Sequence, residues 1–345
     1  MQTQEQTESQ PPVRSPEPGL AAEFRAAWQQ LPDKTMFFVL LAAWLALYHF
    51  LGNATLGYIN TPSLLNWMFA AYTAKGPQAD DGHGVLIPFV VAGLLWWKRK
   101  ELLALPLRNW WPGLLLVGLA LLLHLAGYAI QQPRVCIVAL LGGLYALAGV
   151  VWGPAFLRAS FFPFFLFAFM VPLGSLTEPV TFPLRLTVSK ITAAVCDDAL
   201  GMSVVREGTR LFSSAGVLNS NTRFEYEVAA ACSGMRSLVA ITAIGIIYAF
   251  MVFRTWSSRM LLMASAVPLA VIGNVFRMMT IVLAAEFGGQ NWGNYVHEGG
   301  PLGILSLLPY VPAIIGLMLL GRWLEKMQDR NAKLASPTYG GAQAA

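Results

Sequence analysis

The sequence is short of charge. Asp, Glu, Lys and Arg make up 12% of its 345 residues, against roughly 25% in a soluble globular chain. That is too few to clothe a water-facing surface, and it also excludes a disordered polyelectrolyte or a coiled coil. Cysteine is scarce too: Cys136, Cys196 and Cys232 have no CxxC spacing and make no disulfide framework. No basic stripe with interleaved aromatics accompanies the net charge of +5, so nucleic acid is not an expected partner. HExxH is missing, and neither a serine–histidine nor a paired-aspartate arrangement lies within an apolar stretch. No cofactor or metal site is expected. Residues 1–34 lack the apolar run of a signal peptide.

What the chain has is apolar length. Hydrophobic residues reach 56% and the mean hydropathy is +0.55. A helix needs about 20 apolar residues to cross the hydrocarbon core. Uncharged stretches at 36–54, 85–97, 112–130, 136–152, 159–176, 236–253, 260–285 and 301–320 supply about eight such spans. The expected fold is all-α, a polytopic membrane helix bundle. Residues 1–34 read as a disordered cytoplasmic tail with an amphipathic stretch near Phe24 to Leu31. Residues 35–325 read as the membrane-embedded domain and 326–345 as a second cytoplasmic tail.

Charge sets the orientation. With the N-terminus inside, fourteen Lys and Arg between Arg14 and Lys333 fall on the inner side, and only Lys75 and Arg134 on the short outer loops. Cytoplasmic loops carry the Lys/Arg excess, so both termini are expected in the cytoplasm of a bacterial-type inner membrane. The outer side then receives 55–84, 177–235 and 286–300. Residues 180–200 place apolar positions at helical spacing and predict an interfacial helix. Residues 204–229 alternate around Gly208 and predict a small β-hairpin.

Ionisable or reactive groups close to a span are costly to bury and mark function. The run Cys232-Ser233-Gly234-Met235-Arg236 stands at the outer start of the sixth span, where small neighbours leave room for a substrate. A helix N-terminus also favours the thiolate. Asn274 and Arg277 share one face of the seventh span. Arg277 lies eight residues from its outer end at Ala285, about 12 Å deep at 1.5 Å per residue. His297 follows just outside. A thiol, an acid/base and a cation on one side are the parts acyl transfer requires. Asp81 and His83 open the second span from the same side. His49 and His124 lie inside spans, where packing or an interhelical hydrogen bond is expected. Cys136 and Cys196 read as small apolar fillers. A non-catalytic transporter or an assembly factor for surface polysaccharide is the rival reading. Against the transporter, no inverted repeat is visible.

The run Ala231-Cys232-Ser233-Gly234-Met235-Arg236-Ser237, then Asn274 with Arg277, then His297 followed by glycines, resembles the exosortase/archaeosortase family. Gly82-His83-Gly84 and Val205-Arg206-Glu207-Gly208 are similar to further elements of it. The resemblance implies a multi-pass cysteine endopeptidase or transpeptidase that cleaves a PEP-type C-terminal sorting signal of exported proteins through a thioester. It implies Cys232 as nucleophile, Arg277 as oxyanion or substrate stabiliser and His297 as acid/base. Ser233, Gly234, Arg236, Asn274 and His83 would be supporting residues. The implied partners are exported proteins with a C-terminal transmembrane signal, membrane lipid and the exopolysaccharide export machinery.

Overall fold

The computed structural model describes residues 19–55, 60–74, 81–173, 178–213, 224–227, 235–300, 305, 307 and 310–335, without side chains at 180, 235–237 and 331–335. Eleven α-helices and one three-stranded sheet form these residues. The helices are α1 (Leu20–Gln30), α2 (Lys34–Leu51), α3 (Leu64–Thr73), α4 (Ile87–Trp97), α5 (Arg99–Leu103), α6 (Gly113–Ala129), α7 (Pro133–Phe165), α8 (Glu178–Ala194), α9 (Met235–Val252), α10 (Trp256–His297) and α11 (Tyr310–Ala335). The fold is an all-α polytopic bundle. Lys34–Leu51, Pro133–Met170 and Trp256–His297 are long and apolar enough to cross a membrane, and Ile87–Trp97, Gly113–Ala129 and Leu238–Val252 are apolar but shorter.

Helices immersed in lipid gain little by burying leucine, so small residues set their contacts. α6 turns Leu115, Leu119, Leu122 and Leu125 outward, each more than 60% exposed. Its buried face is Gly113, Ala120, His124 and Gly127. A Cβ on Gly127 would sit 2.9 Å from the Cys136 sulfur, and one on Gly113 3.0 Å from a Val150 methyl. These glycines let α6 and α7 pack backbone to backbone. On the other side of α7, Trp44 of α2 lies over Gly143 and donates its indole N–H to the Leu140 carbonyl at 3.0 Å. The two span histidines hold positions of the expected kind. His124 is buried, with Nε2 3.1 Å from the Leu51 carbonyl and its ring 4.4 Å from that of Tyr48. His49 Nδ1 lies 3.0 Å from the Ser63 hydroxyl. Cys136 and Cys196 are free and buried.

The fourth and fifth expected spans are one helix folded on itself. Gly153 has φ 91° and ψ 173° inside α7. Tyr145 donates its hydroxyl to the Leu157 carbonyl at 2.5 Å, and its ring lies 5.1 Å from that of Phe164. On a straight helix residues 145 and 164 would stand about 28 Å apart at 1.5 Å per residue. Segments 133–152 and 154–165 are therefore two legs of a hairpin. Arg134, near its open end, donates Nε–H to the Pro172 carbonyl at 2.6 Å.

The other differences lie outside the spans. α3 stands within the expected outer loop 55–84 and buries Leu64, Met68 and Tyr72. The last helix is described from Tyr310 to Ala335, and most of 301–309 in the expected eighth span lies outside the described residues. The expected amphipathic stretch is α1. The expected interfacial helix is α8, closed by a π-helical turn at Val195–Ala199. The expected hairpin is β1 (Val204–Glu207) and β2 (Arg210–Ser213) around Gly208 at φ 62°. β3 (Glu225–Glu227) extends it in the antiparallel order β1-β2-β3.

The φ/ψ pair of Gly153 belongs to a region that only glycine occupies freely, at a cost of about 1–3 kcal/mol for other residues. A Cβ there would also meet the Arg108 carbonyl at 2.9 Å. Gly153→Ala is expected to lower the melting temperature of the detergent-solubilised protein. Gly142→Ala, on the same helix with open space at its Cβ, is expected to leave it unchanged or raised, since alanine is the better helix former. A thermal ramp on both variants checks the pair.

Candidate functional site

The second fold-back is built on the same dihedrals. Gly289 interrupts α10 at φ 75° and ψ 176°. Beyond it the chain returns along the helix it has just left: a Cβ on Gly293 would lie 2.8 Å from that of Ala285. Four residues farther on, His297 arrives beside Arg277, whose Nη2 donates to the His297 carbonyl at 3.3 Å. Twenty residues of straight helix would put these two about 30 Å apart. The expected loop 286–300 is thus mostly helix, and its first three residues continue the first leg of α10. The structure brings Arg277 and His297 together. Asn274, 1% exposed, stands one turn away from Arg277 on the same helix.

The guanidinium meets the last turn of the returning helix, where free carbonyls and the negative end of the helix dipole favour a cation. This contact uses one of its five N–H donors. Past His297 the chain is turned by Gly299 at φ 98° and Gly300 at φ 63°, whose amides donate to the Val296 and Tyr295 carbonyls. Left-handed glycines are the common way to end a helix.

β3 clamps the returning segment from outside the bundle. Gln290 accepts from the Glu225 amide at 2.9 Å and donates to the Glu225 carbonyl at 3.2 Å. The Tyr226 hydroxyl donates to the Gln290 carbonyl at 3.2 Å. The Tyr226 ring lies against Gly293, where any side chain would strike it, and 6.3 Å from the His297 ring at an interplanar angle of 23°. Behind this contact Leu211, Phe224 and Tyr226 share a core with Val188 and Cys196 and with Met278, Ile281, Val282 and Ala285 of α10. Sheet and α8 therefore rest on the part of α10 just past Arg277. Tyr226, Gln290, Gly289 and Gly293 were not singled out from the sequence. The Gly288-Gly289 pair was the available signal, and it reads equally well as a helix end.

Cys232, Ser233 and Gly234 lie outside the described residues, as does the side chain of Arg236. Cys232 follows β3 by five residues and precedes α9 by three. α9 packs on α10 and α11 through Ile241, Ala249, Leu262, Ala266 and Leu317. A narrow cleft between α8, α9 and α10 is lined by Leu184, Val188, Leu238, Val271 and Asn274.

His83 belongs to another cluster. It sits in the 3-10 turn Gly82–Val85, packed on α3, α4 and the turn Leu166–Met170. Gly84 lies under the Tyr72 ring, and Tyr72 donates its hydroxyl to the Met170 carbonyl. Burial pushes the neighbouring Asp81 carboxyl above its ordinary range, while His83, the Leu173 backbone and Arg134 pull it down. Among the described residues no group of three or more His, Cys, Asp and Glu is placed to hold a metal.

These features define a polytopic helical membrane protein with a cation and an imidazole held at one bundle end under a small sheet. Residues 75–308 match the family model described as transmembrane exosortase. The chain belongs to that family, whose members carry out membrane-associated processing of exported proteins that bear a sorting signal. No curated protein and no solved structure matches it.

His297 lies past the break at Gly289 and beyond Ala285, the outer end of the seventh span expected from the sequence. Burial holds its imidazole below the ordinary histidine value of 6.5, the Arg277 cation pushes the same way, and Glu298 opposes. The neutral ring is therefore favoured down to a lower pH than in an unperturbed histidine. Diethyl pyrocarbonate attacks the neutral imidazole, so modification of His297, read by mass spectrometry, is expected to persist below pH 6.5. In Arg277→Gln the midpoint is expected to rise, because the repelling cation is gone. A midpoint that stays or falls contradicts the geometry.

Proposed function

We propose that this chain is a cysteine endopeptidase or transpeptidase that cleaves a PEP-type C-terminal sorting signal of exported proteins at the outer face of the cytoplasmic membrane. The observation that carries the reading is the return of His297 to Arg277, which puts an acid/base and a cation side by side. Cys232 lies on the short connection between β3, which clamps His297, and α9, which packs on the helix bearing Arg277. The excess of Lys and Arg on the opposite loops supports an extracytoplasmic site and cytoplasmic termini.

On this reading His297 takes the thiol proton of Cys232, and the sulfur attacks the scissile carbonyl carbon. Arg277 stabilises the oxyanion, more strongly in a water-poor site than in bulk solvent. The C–N bond breaks as the leaving amine takes the proton from His297. A thioester remains on Cys232. His297 then accepts a proton from an incoming water or anchor nucleophile, which releases the thiolate. Ser233, Gly234 and Arg236 flank the reacting sulfur in sequence, Asn274 polarises the floor of the cleft, and His83 supports the substrate from the neighbouring cluster. The partners are exported proteins with a C-terminal span and basic cluster, with a functional link to exopolysaccharide export proteins.

The test is co-expression with an exported reporter that ends in a short motif, one apolar helix and a basic cluster. Cys232→Ala is expected to abolish processing, and continued processing sinks the assignment. His297→Gln is expected to slow it by about 10²–10⁴-fold, the usual share of general acid–base catalysis. Arg277→Lys is expected to slow it by about 10²–10³-fold, as for loss of an oxyanion donor. Thiol labelling from outside separates the rival reading. A catalytic Cys232 reacts and loses activity together, whereas in a transporter or assembly factor labelling and function do not move together.

A second outcome isolates the fold-back. Gly289 has nothing within 4 Å of where a Cβ would stand, so Gly289→Ala disturbs only the backbone dihedrals. Processing is expected to fall while Cys232 still accepts a small thiol reagent. Full activity in this variant would show that the Arg277–His297 contact is dispensable.

A further inference from the structure

Far from Gly289 along the chain, α1 lies against α4 and α5 with no residue of its own buried. Leu20, Phe24 and Trp28 recur every fourth residue, forming a stripe 76%, 56% and 40% exposed. Leu20 faces outward, while Phe24 and Trp28 are part-exposed and also reach back towards α4, and a surface helix with such a half-exposed apolar stripe suits a membrane interface. It is held there by the Glu23–Arg99 pair at 2.7 Å and by the Phe24 and Trp96 rings, 5.7 Å apart.

Two cavities open where α1 leaves α4. One, of about 510 Å³, is walled by Phe24, Trp28, Trp96, Trp152 and Phe156 and floored by the exposed Gly93. A Cβ added at Gly93 would meet nothing within 4 Å. The other, of about 370 Å³, is lined by Glu23, Gln30, Arg99 and Lys100. They share Ala27, Arg99 and Leu103, so an apolar groove runs directly into a polar one. The guanidinium at their junction is stacked on Trp96 at 4.2 Å.

The charges decide the ligand. Lys98 is matched by Glu101 at 3.3 Å, and Arg99 by Glu23. Among the described residues Lys100 has no carboxylate within ion-pair distance. The polar cavity therefore carries one surplus positive charge beside a groove with room for hydrocarbon. We propose that this composite site binds one anionic glycerophospholipid, its acyl chain over Gly93 between Trp28, Trp96 and Trp152 and its phosphate against Lys100 and Arg99. The assignment is independent of the catalytic reading, since none of these residues takes part in it.

Native mass spectrometry of the full chain released from nanodiscs of mixed phosphatidylcholine and phosphatidylglycerol tests it. The wild type is expected to retain one phosphatidylglycerol in excess of the bilayer ratio. Lys100→Gln is expected to lower that preference about fivefold, the worth of one cation near an anionic surface, while Lys326→Gln on α11 leaves it unchanged. Gly93→Leu fills the groove and is expected to lose the retained lipid of either kind. Because leucine suits a helix better than glycine, this variant is expected to fold. Its melting temperature no longer rises with added phosphatidylglycerol, whereas that of the wild type does. Retention at the bilayer ratio by the wild type, or an undiminished preference in Lys100→Gln, overturns the proposal.

Discussion

One glycine decides where the candidate chemistry can stand. At φ 75° and ψ 176°, Gly289 turns α10 back on itself, and a donor at 3.3 Å replaces a separation of about 30 Å. Everything around the site is arranged to hold the turned-back segment in place. Gly293 admits the Tyr226 ring, Gln290 binds both backbone groups of Glu225, and Arg277 itself caps the final turn. The guanidinium therefore has a structural partner in the helix end as well as a neighbour in the imidazole. A side chain held at its tip by the backbone is a better electrostatic device than one free to follow its counter-ion, because its field needs no reorganisation when charge develops nearby.

The same dihedral solution appears at Gly153, with a different outcome. There the turn joins a leg of twenty residues to one of twelve, and the product is a hairpin of the bundle. At Gly289 the second leg is only eight residues, from 290 to 297, and the product is a short helix laid along the end of a long one. Both reversals keep the backbone hydrogen-bonded up to the glycine. That matters in a setting where an unpaired peptide group has no water to turn to.

The bundle was legible in the sequence because lipid imposes a one-dimensional rule. Span positions, the amphipathic α1, the helix α8 and the Gly208 hairpin all follow from local composition and period. The fold-backs were not legible in the same way. A glycine inside an apolar run is compatible with close packing, a helix end or a reversal, and only the partners on the far leg choose among them. Gly127 and Gly143 are packing glycines, and Gly153 and Gly289 are reversals; Pro154 after Gly153 is a local cue, but the pairs Gly142-Gly143 and Gly288-Gly289 look alike and fall in different classes. α3 was missed for a related reason: its Leu64, Met68 and Tyr72 face a core supplied by residues distant in sequence on α2, α4 and α7. Arg277 and His297 were singled out as polar residues in an apolar setting, which is a local property. Tyr226 and Gln290 were not, because an aromatic and an amide at a membrane surface are unremarkable until the sheet places them.

The pairing of Arg277 with His297 constrains how a thiol could be activated beside them. In a thiolate–imidazolium pair the histidine must keep the proton it receives. Here burial and the adjacent guanidinium both disfavour that charged ring. If Cys232 occupies the site, its thiolate gains from the permanent cation of Arg277, while His297 passes the proton on instead of storing it. The imidazolium is then a brief donor to the leaving amine, and a ring of depressed pKa is a stronger acid for that step. Arg277 would serve twice, first lowering the cost of the sulfur anion and then that of the oxyanion. On that reading the fold-back at Gly289 would let one guanidinium serve both, since it brings Arg277 and His297 onto two legs of a single helix.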